Sequence, residues 1–172
     1  VRISVVEKGP VRVTVKVERR HGESVFVQHI SLTEGAHEDR IDIENDVFWQ
    51  SADALLKAEF PLTIYNERAI YDLGIGTISR GNNTVTAYEV YAQQWADLTE
   101  EDGSYGVALM NDCKYGFNAE GNTLKLTMLK CGTYPNPEAD QGPHVFTYSL
   151  IPHVGDFREA DVIKEAHSLN QP

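Results

Sequence analysis

From Val11 to Glu18 the chain alternates strictly, with Val11, Val13, Val15 and Val17 set between Arg12, Thr14, Lys16 and Glu18. A period of two sends the valines to one face of a strand and the polar residues to the other, which predicts a half-buried strand. Residues 2–7 before it are β-compatible, and Gly9-Pro10 reads as the intervening turn. Residues 24–32 follow the break at His21-Gly22-Glu23, so the opening predicts a hairpin. Residues 40–44 alternate again, and Glu38, Asp39, Asp42, Glu44 and Asp46 read as a solvated face. Short strands are expected at 55–62, 69–75, 84–91, 105–111, 123–129 and 144–151, with a helix only at 158–169. That even spacing predicts an all-β, antiparallel β-sandwich with a short C-terminal helix.

One strand differs from the rest. Gly106-Val-Ala-Leu-Met110 is apolar at odd and even positions alike, as expected of a central strand covered on both faces. Its polar continuation, Asn111-Asp-Cys-Lys-Tyr115, therefore leaves the middle of a sheet. Residues 118–122 supply hairpin-turn types, and 132–142, with two prolines and two glycines, read as a long loop. Length allows one substantial domain over residues 1–172, or a large part of one. The start at Val1, with a strand and no leader, predicts a piece of a longer polypeptide.

Charge narrows the partners. Twenty-six acidic residues against 15 basic ones give a formal net charge of −11, which repels phosphate backbones, so no nucleic acid is expected. No apolar run approaches the roughly 18 residues of a membrane span, so no membrane is expected either. Cys113 and Cys131 lack a Cys-x-x-Cys spacing and read as two buried thiols in a reducing, cytoplasmic setting, although one disulfide between them stays open.

Six histidines invite a metal hypothesis, but none shows the spacing that puts two ligands on one helix face. No metal ligand and no catalytic carboxylate pair can be picked from the sequence. Asn82-Asn-Thr84 fits a glycosylation acceptor and reads as a turn. The candidate substrate-binding residues are Asn111, Asp112, Lys114 and Tyr115, where amide, carboxylate, ammonium and phenol follow directly on a buried strand. Such groups either satisfy loop backbone or form a preorganised sugar-binding edge. Continued alternation would put Asn111, Cys113 and Tyr115 on one face and Asp112 and Lys114 on the other.

Leu55-Leu-Lys-Ala-Glu-Phe-Pro-Leu62, Trp95-Ala-Asp-Leu98, the stretch 105–117, Gly121-Asn-Thr-Leu124, the stretch 133–142 and Phe146-Thr-Tyr-Ser-Leu-Ile-Pro-His153 occur in order. Together they resemble the C-terminal β domain of the glycoside hydrolase family 38 α-mannosidases, from about Asp42 onward; the first 40 residues carry little of that signal. The resemblance implies a galactose-mutarotase-like supersandwich lying after a β/α catalytic barrel and a helical bundle. It also implies a retaining reaction in which the barrel holds zinc, an Asp nucleophile and an acid/base Asp. None of those residues can be placed here, so no cofactor is expected in this stretch and zinc is expected in the catalytic domain.

The leading expectation is thus a non-catalytic domain that packs on the barrel and helical domain of its own chain and shapes a cleft for mannosides. An autonomous carbohydrate-binding module is the alternative, and a mutarotase-like enzyme, needing a His and a Glu on one pocket, is a third reading. Exposed packing surface and an open sheet edge also predict self-association of the isolated piece.

Overall fold

A computed structural model describes all residues except Ala36, Glu38 and Pro172, so the Glu38 part of the expected solvated face lies outside the described residues. The strands, in chain order, are β1 (Arg2–Lys8), β2 (Arg12–His21), β3 (Ser24–Thr33), β4 (Ile41–Trp49), β5 (Ala54–Pro61), β6 (Arg68–Asp72), β7 (Thr77–Gly81), β8 (Val90–Tyr91), β9 (Trp95–Thr99), β10 (Tyr105–Asn111), β11 (Gly116–Glu120), β12 (Thr123–Cys131) and β13 (Gly142–Val154). Helix α1 (Val162–Asn170) follows. The chain forms two compact units, residues 1–56 with 129–149, and residues 57–128 with 150–172.

In the first unit the strand order is β1-β2-β3-β4-β13. β2 and β3 pair antiparallel from Arg12↔Thr33 to His21↔Ser24. Gly22, at φ 57, opens their two-residue turn, a backbone region that a side chain rarely enters. Val17, Phe26, Ile43, Val47 and Trp49 are buried, and Phe26 meets the Trp49 ring edge-on at 5.6 Å. The valine face is not buried throughout. Val11 and Val13 are 62% and 49% exposed, whereas Thr14, on the expected wet face, is buried. The cause is a polar row: Thr14 Oγ1 donates to Glu7 at 2.9 Å and shares a 3.0 Å hydrogen bond with Ser31, which satisfies the buried hydroxyls. Glu44 and Asp46 do face solvent, but Asp42 is tied to Arg40 and accepts from Ser149 at 2.6 Å.

In the second unit β13-β10-β9-β6-β7 form one sheet order and β5-β12-β11-β8 another. Tyr71 of β6 meets Phe117 of β11 edge-on at 6.5 Å, so the two sheets share an apolar core as a sandwich requires. β10 lies between β13 and β9 with every residue from Gly106 to Asn111 buried, the central position its apolar run requires. Trp95, Ala108, Met110, Ile151, Phe157, Val162 and Ala166 pack together under α1. That helix starts later than expected: Asp156 Oδ1 accepts from the backbone N–H of Arg158 and Glu159, making a separate turn, and Asp161 sits at φ 54. Regular helix begins only beyond it.

Four strands depart from the sequence reading. β9 and β7 fall where no strand was expected, and β11 runs through Asn118 to Glu120, leaving only Gly121-Asn122 for the turn. Of the expected strand 84–91 only Val90–Tyr91 pairs with β11, because Thr84 and Ala87 bond each other across a tight turn.

Candidate functional site

Asn111 ends β10 inside the second unit, 1% exposed. Its Nδ2 donates to the carbonyl of Gln93 at 3.2 Å, its Oδ1 accepts from the backbone N–H of Lys114, and its own carbonyl accepts from Asn170 Nδ2 at 3.1 Å. A buried amide must be satisfied, and this one is satisfied by tying together the 93–94 segment, the bend after β10 and the end of α1. Asn111 therefore holds the bend, with its amide bonded to backbone groups on both sides.

The Asn111–Lys114 bond also ends the strand, so alternation stops at Asn111 and the expected division of Asp112 and Lys114 from Cys113 and Tyr115 does not hold. Residues 112–113 form a bend, with Asp112, Cys113 and Tyr115 exposed and Lys114 half-buried. Cys113 is thus not the buried thiol expected, whereas Cys131 is buried; both are free. Partial burial, and a hydrogen bond that the thiol donates to the neighbouring Asp112 carboxylate, push the Cys113 thiol up to about 11, with Lys114 pulling the other way.

Tyr115 is 54% exposed and lies nearly parallel to Tyr91, itself 50% exposed, with ring centroids 6.1 Å apart and planes at 19°. Gln93 Nε2 donates to the Tyr91 hydroxyl at 2.6 Å. Tyr91 and Gln93 were not legible as site residues; the one signal for them is an aromatic and an amide just before Trp95-Ala-Asp-Leu98. Beyond Gln93 lies a cleft of about 250 Å³ bordered by Asp72, Gly76, Gln94, Trp95 and His167. Asp72 accepts from the backbone N–H of Gly74 at 2.8 Å and of Gln94 at 3.0 Å, so its carboxylate holds the cleft walls in place.

The most enclosed His–carboxylate contact lies elsewhere in this unit. His153 Nε2 is 2.7 Å from Asp97 Oδ1, with side chains 4% and 1% exposed. Thr99 Oγ1 donates to Asp97 Oδ2 at 2.7 Å, and His153 Nδ1 faces the Gly155 carbonyl at 3.1 Å. A carbonyl only accepts, so Nδ1 donates to Gly155. No substrate reaches so enclosed a pair. Among the described residues no three His, Cys, Asp or Glu side chains converge as a metal site needs. The His and Glu that a mutarotase-like reading requires do not share the cleft, which has Asp72 and His167 instead.

Residues 1–138 match the family described as Glycosyl hydrolases family 38 C-terminal domain. The match takes in the opening hairpins, which carry little family signal by their residues alone. The chain is 42% identical over 137 residues to Alpha-mannosidase 2C1 of Mus musculus, covering 77% of this chain and 13% of that protein. It is 37% identical over 177 residues to Alpha-mannosidase G of Dictyostelium discoideum, covering 96% and 16%. An alpha-mannosidase crystal structure from Enterococcus faecalis V583 superposes with a TM-score of 0.83 at 16% identity, over 99% of this chain and 24% of that one. A putative aldose 1-epimerase from Klebsiella pneumoniae, at TM-score 0.54 and 10% identity over 97% of this chain and 57% of that one, shares the mutarotase-like fold. The chain thus spans only 13–16% of the length of these curated relatives. It belongs to the C-terminal domain family of the family 38 glycosyl hydrolases.

Proposed function

We propose that this chain works as the non-catalytic C-terminal domain of a retaining α-mannosidase, packing on the catalytic barrel and helical domain of the same polypeptide and shaping the cleft for mannosides. The observation that carries the reading is the bend 112–115: buried Asn111 anchors it by its amide, while Asp112, Lys114 and Tyr115 stand at its surface. A fixed polar edge with an aromatic ring is what a sugar cleft needs from a neighbouring domain. In this reading zinc belongs to the catalytic barrel, and this chain's part is to position and enclose substrate. No helix among the described residues is long and apolar enough to cross a membrane, and the two free cysteines accord with a cytoplasmic setting.

The same reading gives the exposed valine face of the first unit a role in packing or self-association. Ile3, Val5, Val11, Val13 and Leu32 are each about half exposed or more, beside edge strand β1.

The test is kinetic and uses the whole enzyme. Asp112→Asn and Lys114→Met are expected to lower kcat/KM by about tenfold, roughly 1.4 kcal/mol of transition-state stabilisation, at unchanged melting temperature. Unchanged kinetics with a lowered melting temperature would make the bend a structural device only.

A further inference from the structure

Polar side chains without partners gather around the cleft in the second unit. Thr77, Gln94 and His167 border it, and among the described residues none of their side chains has a hydrogen-bond partner. Its apolar lining is Ile163, 44% exposed, beside Trp95, which is almost wholly buried in the packed cluster under α1. A few uncommitted polar groups around an apolar wall form the composition of a small-ligand site.

The cleft does not end at Gln93. Its amide borders the cleft, packs against Gly74 and donates to Tyr91, so the Tyr91–Tyr115 pair begins where the cleft stops. Each ring is about half exposed, and the pair is held near-parallel. A pyranose offers aliphatic C–H faces to an aromatic ring and hydroxyls to amides and imidazole, and this surface supplies both kinds of partner. Charge selects further. With Asp72 in the cleft and a formal net charge of −11 on the chain, a phosphorylated or acidic sugar is repelled.

We infer that this cleft, with the Tyr91–Tyr115 pair as its shelf, is a binding subsite for one neutral pyranose unit, separate from the Asp112 and Lys114 contacts proposed above. The choice of mannose as that unit rests on the α-mannosidase reading; the neutral-pyranose chemistry does not.

Gly76 makes the test clean. A Cβ built there meets nothing within 4 Å, and its φ is not in the left-handed region, so Gly76→Phe fills the cleft without disturbing the backbone. Methyl α-mannoside is titrated into the 172-residue chain, observed by two-dimensional amide NMR, beside mannose 6-phosphate. The expected result is saturable shifts at Gln93, Gln94 and Trp95 with a Kd in the millimolar range, about what one ring can supply. Gly76→Phe and Tyr91→Ala are each expected to weaken binding about tenfold or more while keeping the parent's spectrum elsewhere, and the phosphate to bind more weakly than the neutral sugar. No saturable shift, equal binding by Gly76→Phe, or stronger binding of the phosphate would overturn the inference. Its failure leaves the kinetic role of Asp112 and Lys114 untouched. Binding here with unchanged kinetics in the Asp112→Asn and Lys114→Met enzymes would instead make the chain a sugar-binding module.

Discussion

Gly106→Ala is expected to destabilise the second unit, although strand preference alone predicts the reverse. Replacing glycine by alanine within a strand removes backbone freedom from the unfolded chain and by itself stabilises by roughly 0.5–1 kcal/mol. Here the new Cβ would lie 2.4 Å from His153 Cε1, 2.7 Å from His153 Nε2 and 2.5 Å from Thr99 Oγ1. Real carbon contacts are never so short, so something must move. Thr99 is bonded to Asp97, and the His153 ring is enclosed and bonded at both nitrogens. Moving either one strips a partner from the buried Asp97 carboxylate.

Overpacking a core costs about 1–3 kcal/mol, and leaving a buried polar group short of its hydrogen-bond partner about 1–3 kcal/mol, more where it is charged. One displacement causes both, so the terms do not add, and a net loss of about 3 kcal/mol is expected. In a chain of this size that lowers the melting temperature by roughly 6–12 °C. Scanning calorimetry of Gly106→Ala, His153→Ala and the double variant reads it. His153→Ala removes one of the two groups the new methyl strikes, Thr99 remaining, so Gly106→Ala should cost less in that background, with a coupling above about 1 kcal/mol. A Gly106→Ala protein as stable as the parent, or additive losses in the double variant, would refute the argument.

The Cys113 thiol, held near 11, should react slowly with iodoacetamide at pH 8 despite its exposure. Asp112→Asn removes the carboxylate that helps raise it and should speed alkylation several-fold; an unchanged rate would show that the carboxylate does not act on the thiol. The linked stability has a definite sign. With its pKa raised from 9.0 to about 11, Cys113 keeps its proton longer in the folded state, so stability is lost as pH rises through that window. A melting temperature that rose there would contradict it. The chain alone is expected neither to hydrolyse an aryl α-mannoside nor to bind zinc stoichiometrically, checked by turnover after repurification and by metal analysis after dialysis. Sedimentation should show self-association that weakens in Val5→Lys and Val13→Lys, both on the exposed apolar face; a strictly monomeric parent at high concentration would end that expectation.

The readable parts of the fold were those whose cause is local. β2, β3, β10 and β12 carry their periodicity or apolar run in their own residues, and Gly22 marks its own turn. β9 was hidden because Asp97 interrupts its apolar pattern, and the residue that makes that aspartate tolerable, His153, lies 56 positions away. β7 hides for the opposite reason: it is an exposed outer strand, so no buried face imposes a period on it. Residues 84–91 look β-branched enough for a strand, yet Thr84 and Ala87 close on each other first. The site divides in the same way. Asp112, Lys114 and Tyr115 are candidates by sequence because they adjoin an unmistakable central strand, whereas Tyr91, Gln93 and Gln94 are brought near only by long-range contacts with Tyr115, Asn111 and Asp72.

Asn111 explains why the reading of faces beyond β10 failed while the reading of place succeeded. Alternation holds only while the backbone keeps donating to a neighbouring strand. At Asn111 the side chain takes over, its carbonyl oxygen capturing the Lys114 N–H while its amide nitrogen reaches the Gln93 carbonyl. The polar residues after it are thereby released from the sheet but kept at its end, beside Tyr91 and the cleft. A buried asparagine at the end of an apolar strand therefore reports that an exposed polar bend is held from below. Asn111 and Gln93 thereby tie the bend to the Tyr91–Tyr115 pair, the fixed placement that the proposed sugar contacts require.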